Sequence, residues 1–143
     1  MLNKKAEAFE AYLEERFINF FEMQEIHDEL NTCVFKSRIT VEGQNLVTLI
    51  ILDNSIYGMV RVMVAENALN QSNEERLRTL VEKYNSSYKM FKYYFAQDGS
   101  LILDVCLLEP AEATDGNMIY TVLDVVIKHL EDEYKNIMKA IWA

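Results

Sequence analysis

The chain has 143 residues, of which half are apolar, one is proline and four are glycine. This composition excludes an intrinsically disordered chain, and we expect residues 1–143 to form one domain that buries roughly two-thirds of its unfolded surface. The net charge of −9 at pH 7 repels phosphate backbones, so a nucleic-acid partner is not expected.

The sequence also predicts where the protein works. Its longest apolar runs, at residues 49–52 and 101–103, are far shorter than the roughly 18 residues that span a bilayer. The charged N-terminal residues do not match a secretory signal. We interpret both cysteines, Cys33 and Cys106, as small buried hydrophobes of a reducing compartment. A cytoplasmic protein without a membrane partner is therefore expected.

The first predicted element is an amphipathic helix from Lys4 to Met23. Its glutamates fall mostly away from the apolar face, which has the three-and-four spacing of a helix. The residues of that face are Ala6, Phe9, Leu13, Phe17 and Phe20. Residues 24–32 lose this pattern, and we interpret them as a polar connection.

Three strands are predicted next. Residues 34–41 alternate between apolar and polar side chains, as a half-buried strand does. Residues 46–52 form a β-branched apolar run of strand length. Residues 56–65 place Val60, Val62 and Val64 on one face, opposite Tyr57, Met59, Arg61 and Met63. Short turns at residues 42–45 and 53–55 join the three strands into an antiparallel meander.

A second helix and a hairpin follow. Ser72 and Glu75 have the spacing of a capping box, in which a hydroxyl and a carboxylate satisfy backbone N–H groups at the start of a helix. This helix is predicted to end near residues 85–87. Residues 91–95 and 101–108 are predicted to form two strands joined at the turn Asp98-Gly99, a strong hairpin signal.

The last predicted element is a long helix whose apolar face runs from Ile119 to Ile141. Roughly 25 residues span roughly 37 Å, close to the diameter of a domain of this size. We expect its final apolar residues, including Ile141 and Trp142, to fold back onto the first helix or to be buried in a dimer. The predicted fold is α+β: helix, three-stranded meander, helix, hairpin and long C-terminal helix.

This order, with the segments LVEKYN (80–85), FKYYF (91–95), DGS (98–100) and LILD (101–104), resembles the YbjN-like family of bacterial sensory transduction regulators. Members of that family resemble type III secretion chaperones in fold. The resemblance implies a small, acidic, dimeric protein that binds another protein. It supplies no catalytic residue. Longin and profilin-like domains share part of the same order and remain a fold alternative.

The sequence predicts no catalytic, cofactor-binding or metal-binding residues. His27 and His129 have acidic neighbours, and we interpret them as partners in surface ion pairs because a structural metal site needs about four ligands. The four isolated glycines do not form a phosphate-binding loop. Asp104, the one acid within a predicted strand, is interpreted as lying on the exposed face of an edge strand, with no visible partner.

Our first functional hypothesis is a non-enzymatic protein-binding module, chaperone-like or regulatory, that acts as a homodimer. Methionine side chains suit adaptable contact surfaces, and the candidate protein-contact residues are Tyr57, Met59, Met63, Ile141 and Trp142. The alternative is a small-molecule sensor with a pocket between the C-terminal helix and the sheet. An enzyme is the third possibility.

Overall fold

A computed structural model describes all 143 residues of the chain. It contains three α-helices, a single 3₁₀ turn at Ala111–Ala113 and six β-strands. In chain order the elements are α1 (Lys4–Glu15), β1 (Glu22–Glu25), β2 (Cys33–Val41), β3 (Gln44–Leu52), β4 (Tyr57–Ala65), α2 (Glu74–Ser87), β5 (Lys92–Phe95), β6 (Leu101–Leu108) and α3 (Gly116–Trp142). The α+β class predicted from the sequence is confirmed.

All six strands belong to one antiparallel sheet with the order β1-β2-β3-β4-β6-β5. The predicted meander is β2–β3–β4, and the predicted hairpin at Asp98-Gly99 is β5–β6; both are confirmed. Gly99 takes the positive φ of +84° that this turn requires. β6 pairs with β4, so the hairpin is joined to the meander and β5 becomes an edge strand.

The helices cover one face of this sheet. Along β2, β3 and β4 buried side chains alternate with more exposed ones, as expected where only one face of a strand is packed. The buried side joins the three helices in one core cluster of 31 residues, and no side chain of the opposite sheet face belongs to that cluster. None of the helices combines the length and apolar character needed to cross a membrane.

The first helix is shorter than predicted. It ends at Glu15, and Phe17 follows with a left-handed φ of +56°. The N–H groups of Phe17 and Ile18 donate to the carbonyls of Glu14 and Leu13, which is the Schellman arrangement that terminates a helix. The prediction to Met23 is wrong because the apolar spacing continues into residues that no longer face the core: Phe17 is 92 % exposed.

The fold has six strands instead of the five predicted. Residues Glu22–Glu25 form β1 and pair with Cys33–Lys36 of β2. This segment lies partly in the predicted first helix and partly in the predicted connection. It was missed because three of its four residues are polar and its side chains are mostly exposed. Backbone pairing at an edge leaves little hydrophobic signal in a sequence.

The start of α2 also differs from the prediction. Asn73, not Ser72, occupies the N-cap position, and its side chain makes no hydrogen bond to the first turn of α2. Asn73 is buried, its amide donates to the carbonyls of Ala68 and Ile141 at 2.7 and 3.0 Å, and its side-chain oxygen accepts from the Asn70 N–H at 2.9 Å. This side chain therefore ties the loop before α2 to the last turn of α3.

The end of α3 does not project beyond the core. Ile137 and Ile141 are buried within the same chain, and Arg76 of α2 donates to the Ala140 carbonyl at 2.7 Å. The final turn thus packs on the start of α2, not on α1 as one of the two expectations had it. Only Trp142 is left outside, 79 % exposed.

The role of Asn73 gives a test of this packing. Asn73→Ala removes an amide that satisfies two buried carbonyls, which we expect to lower the free energy of unfolding by about 2–3 kcal/mol. Ser72→Ala is the matched control, because only backbone atoms of Ser72 take part in hydrogen bonds, and we expect it to change stability by less than about 0.5 kcal/mol. Urea denaturation followed by circular dichroism measures both. A loss in Ser72→Ala as large as that in Asn73→Ala would contradict this role of the Asn73 side chain.

Candidate functional site

The sheet face opposite the helices is not covered by any element of the chain, and we call it the open face. It consists of the outward side chains of the six strands. Its central row crosses every strand: in spatial order Glu22, Lys36, Leu49, Arg61, Asp104 and Lys92, as the strand registers show. This row carries three basic and two acidic residues around one leucine, in a chain whose net charge is −9.

Two rows with apolar centres flank the central row, and polar residues stand at their ends: Gln24 in one row, Arg38 and Tyr94 in the other. On one side Val34, Ile51, Met59 and Cys106 are cross-strand neighbours. On the other side Met63 lies opposite Ile102, with Val47 on β3. Most of these side chains are half-buried, because neighbours on a flat sheet shield one another although nothing lies above them. Contiguous apolar surface of this kind is typical of binding surfaces.

Arg61 and Asp104 form an ion pair at the centre of the open face. The Arg61 Nε donates to Asp104 Oδ1 at 2.8 Å, and Nη2 donates to Oδ2 at 3.0 Å. Asp104 is only 4 % exposed, so its charge is compensated by a two-pronged partner, the geometry that makes such a pair strong. Hydrogen bonding to Asp104 raises the pKa of Arg61. The guanidinium is thus held in one orientation.

Tyr94 completes this cluster from the edge strand β5. Its hydroxyl donates to Asp104 Oδ2 at 3.0 Å. Burial, and next to it the negative charge of Asp104, raises the pKa of Tyr94, so the phenol stays protonated and continues to donate. Arg61 Nη2 also lies 3.3 Å from the Met59 sulfur, whereas Nη1 makes no hydrogen bond within the chain. One guanidinium nitrogen therefore remains available to another molecule.

The prediction for Asp104 is wrong. Asp104 lies on β6, which has neighbours on both sides, and it is buried and paired. The sequence hides this pair because Arg61 and Asp104 come from segments whose register depends on the long-range pairing of β4 with β6. The one available signal was a charged residue in the middle of each apolar strand.

The structure separates the candidate contact residues into two groups. Tyr57, Met59 and Met63 lie on the open face, as the predicted alternation of β4 requires. Ile141 is buried, and its neighbour Trp142 is exposed at the end of α3. Met63, Ile141 and Trp142 line one groove of about 500 Å³ at the ends of β3 and β4. Tyr57 and Met59 lie at the opposite end of β4, away from this groove.

A second polar cluster lies inside the helical layer. His129 of α3 is 7 % exposed, and its Nε2 lies 2.7 Å from the Tyr93 hydroxyl. Tyr84, Tyr88, Phe91 and Tyr93 surround the imidazole with ring centroids 4.3–5.9 Å away. The interpretation of His129 as a surface ion-pair residue is therefore wrong. It is a core residue that lies on the buried, apolar face of α3.

No group of three or more His, Cys, Asp or Glu side chains is placed to hold a metal ion. Cys33 is buried, and burial raises the pKa of its thiol to about 11. Cys106, predicted to be buried, is exposed on the open face. Lys5 is buried and donates to the carbonyls of Ser55 and Tyr57, which anchors α1 to the turn before β4.

No protein-family model matches the chain, and no curated protein matches it either.

The burial of His129 predicts a dependence of stability on pH. Burial lowers the pKa of His129 from its ordinary value of 6.5, and the nearby acids Glu133 and Asp132 oppose this only partly. The imidazole is therefore neutral in the folded chain and binds a proton more readily in the unfolded chain. The burial of neutral His129 therefore stabilises the fold fully above pH 6.5, and this stabilisation is lost as the pH falls below that value.

We expect the free energy of unfolding to fall between pH 7 and 5, and to fall less steeply in His129→Gln. His27→Asn is the matched control, because His27 is exposed and its positive φ of 54° suits asparagine. Urea denaturation at several pH values measures the three slopes. A wild-type slope that His129→Gln leaves unchanged would assign the acid sensitivity to other groups.

Proposed function

We propose that the protein is a non-enzymatic protein-binding module, chaperone-like or regulatory, and that it holds another polypeptide on its open face. The observation that carries this proposal is the sheet face that no helix covers, where apolar side chains flank a charged central row and Arg61 is fixed at the centre. Extended apolar surface with an oriented arginine is the composition of protein interfaces, which are enriched in arginine, methionine and aromatic residues.

The size of the open face supports a protein partner. Strands of eight or nine residues at about 3.3 Å per residue and about 4.8 Å spacing, with two short edge strands, give a flat area of about 650 Å². A standard protein interface buries about 800 Å² per partner. The open face is therefore close to the size of a whole interface, and much larger than a small molecule would cover.

A comparison of the free energies of apolar burial and of association indicates a special role for Arg61. If about 400 Å² of the face is apolar, covering it contributes about 10 kcal/mol at about 25 cal/mol per Å². Association costs about 4–15 kcal/mol in lost freedom, so apolar burial alone roughly balances that cost. An arginine already fixed by Asp104 loses little conformational freedom when it binds, and a central arginine in an apolar surround is typical of an energetic hot spot.

The fold supports the chaperone-like part of the proposal, and the cysteine side chains support a cytoplasmic location. Three helices on one side of an antiparallel sheet agree with the chaperone-like layout that the sequence resemblance implies, although the sheet has six strands. Two unpaired cysteines, one of them exposed, favour a reducing compartment such as the cytoplasm.

A small-molecule sensor is the second candidate function. The middle of α3 packs directly on the sheet with Val122, Val126 and Leu130 buried, so space between α3 and the sheet is found only at the end of the helix, in the groove of about 500 Å³ lined by Met63, Ile141 and Trp142. A second groove lies between α2 and the β5–β6 hairpin. It has a volume of about 690 Å³ and is lined by polar and aromatic side chains that include Arg78, Asn85 and Phe95. A thermal-shift screen across cell metabolites tests this candidate.

Photo-crosslinking tests the protein-binding proposal. We place benzoylphenylalanine at Met59 or Met63, both half-buried on the open face, and irradiate living cells that make the protein. We expect a covalent adduct with a polypeptide, which mass spectrometry identifies. The same group at Lys128, on the exposed side of α3, is the matched control and is expected to give no defined adduct.

Two results would count against the proposal. One is the absence of polypeptide adducts from both open-face positions. The other is an equal set of adducts from Lys128, which would mean that the crosslinker reports chance encounters and not a docking surface.

A further inference from the structure

We propose that the polypeptide on the open face is a second copy of this chain, related to the first by a two-fold axis that runs parallel to the strands between β3 and β4. This inference rests on the proposed function, because it takes the open face as the docking surface. It adds the identity of the partner and the symmetry of the complex. The central row of charges is the observation that carries it.

The symmetry operation has a simple effect on the sheet. The strand order β1-β2-β3-β4-β6-β5 is reversed when the second copy is turned over about this axis. Each strand then faces the strand at the mirrored place in the order. β1 faces β5, β2 faces β6 and β3 faces β4, and every row of side chains faces the same row of the partner.

This operation matches the charges of the central row. Read from β1, the row is Glu22, Lys36, Leu49, Arg61, Asp104 and Lys92. Facing its own reverse, Glu22 meets Lys92 and Lys36 meets Asp104, each twice in the dimer. Arg61 meets Leu49. Every acid of the row thus lies opposite a base, and no two like charges face each other, as complementary interfaces require.

Another orientation of the two sheets does not have this property. A two-fold axis across the strands would place each strand over its own copy. Glu22 would then face Glu22, and Lys36 would face Lys36, which is unfavourable for like charges at close range. A purely acidic partner would leave Glu22 and Asp104 opposite like charges. The row is complementary to its own reverse, which is the property an isologous interface needs.

The flanking rows fit the same arrangement. Ile51 faces Met59 and Val34 faces Cys106 on one side of the central row, while Val47 faces Met63 on the other. Most side chains of these rows therefore meet apolar side chains, as they do where two sheets pack about 10 Å apart with their strands nearly aligned, while Arg38 of β2 lies opposite Ile102. With about 650 Å² from each copy, the dimer reaches about 1,300 Å², within the range of specific interfaces.

Charge-swap variants test the symmetry directly. Glu22→Lys alone brings two lysine side chains together at both ends, and Lys92→Glu alone brings two glutamates together. We expect each single variant to raise the dimer dissociation constant about tenfold. An equimolar mixture of the two variants restores complementarity at both ends, so it forms a mixed dimer with nearly wild-type affinity. The double variant also recovers. Sedimentation velocity with one variant fluorescently labelled measures all four.

Matched controls distinguish the effect of the Glu22–Lys92 pairs on dimerisation from a general effect of net charge. Glu131→Lys and Lys128→Glu make the same charge changes on exposed positions of α3, and we expect neither to change dimerisation. Circular dichroism confirms that Glu22→Lys and Lys92→Glu, both at exposed positions, remain folded. Single variants that weaken the dimer without rescue in the mixture would overturn the proposed axis.

A wild-type chain that stays monomeric at about 100 μM, a concentration where micromolar dimers are nearly saturated, would overturn the inference as a whole. That outcome is distinguishable from failure of the proposed function. If the crosslinker at Met59 still captures a different protein, the open face is a docking surface for that protein and not for a second copy.

Discussion

The antiparallel pairing of β4 with β6 is the constraint on which the rest of the structure depends. It joins the N-terminal meander to the C-terminal hairpin and sets both faces of the sheet at once. On the inner face Val60 and Val62 lie opposite Val105 and Leu103, and on the outer face Arg61 lies opposite Asp104. A slip of one residue would turn the valines outward and bury unpaired charges. The core and the ion pair therefore specify the same register.

Buried polar side chains perform a similar task in the helical layer. The ends of α1 and α3 are not fixed by apolar packing alone. Asn3 caps α1 and donates to the Leu52 carbonyl, while Asn73 links the start of α2 to the end of α3. Hydrogen bonds are directional, whereas apolar contacts allow sliding, so these side chains hold each helix at one position on the sheet. The open face is a consequence, since all three helices are held on the opposite side.

The sequence predicted those elements whose side chains alternate or recur with a clear period. β2 and β4 are predicted by alternation, β3 as an apolar run of strand length, β6 by the turn that precedes it, and α3 by its continuous apolar face. β1 was missed because its pairing uses backbone groups. The end of α1 was misplaced because the backbone turns at Phe17 while the apolar spacing continues. The Arg61–Asp104 pair could not be predicted, since register between distant segments leaves no local pattern.

The two edge strands are shorter than the strands they cover. β1 pairs only with Cys33–Lys36 of β2, and β5 pairs only with Leu101–Asp104 of β6. Residues 37–41 and 105–108 therefore present backbone N–H and C=O groups on a side with no neighbouring strand, a template on which another extended segment can add. Pro110, two residues beyond β6, limits how far such a strand can extend. One face of the sheet is thus covered by helices, while backbone groups along both edges have no neighbouring strand. Another strand can therefore be added at an edge without rearrangement of the core.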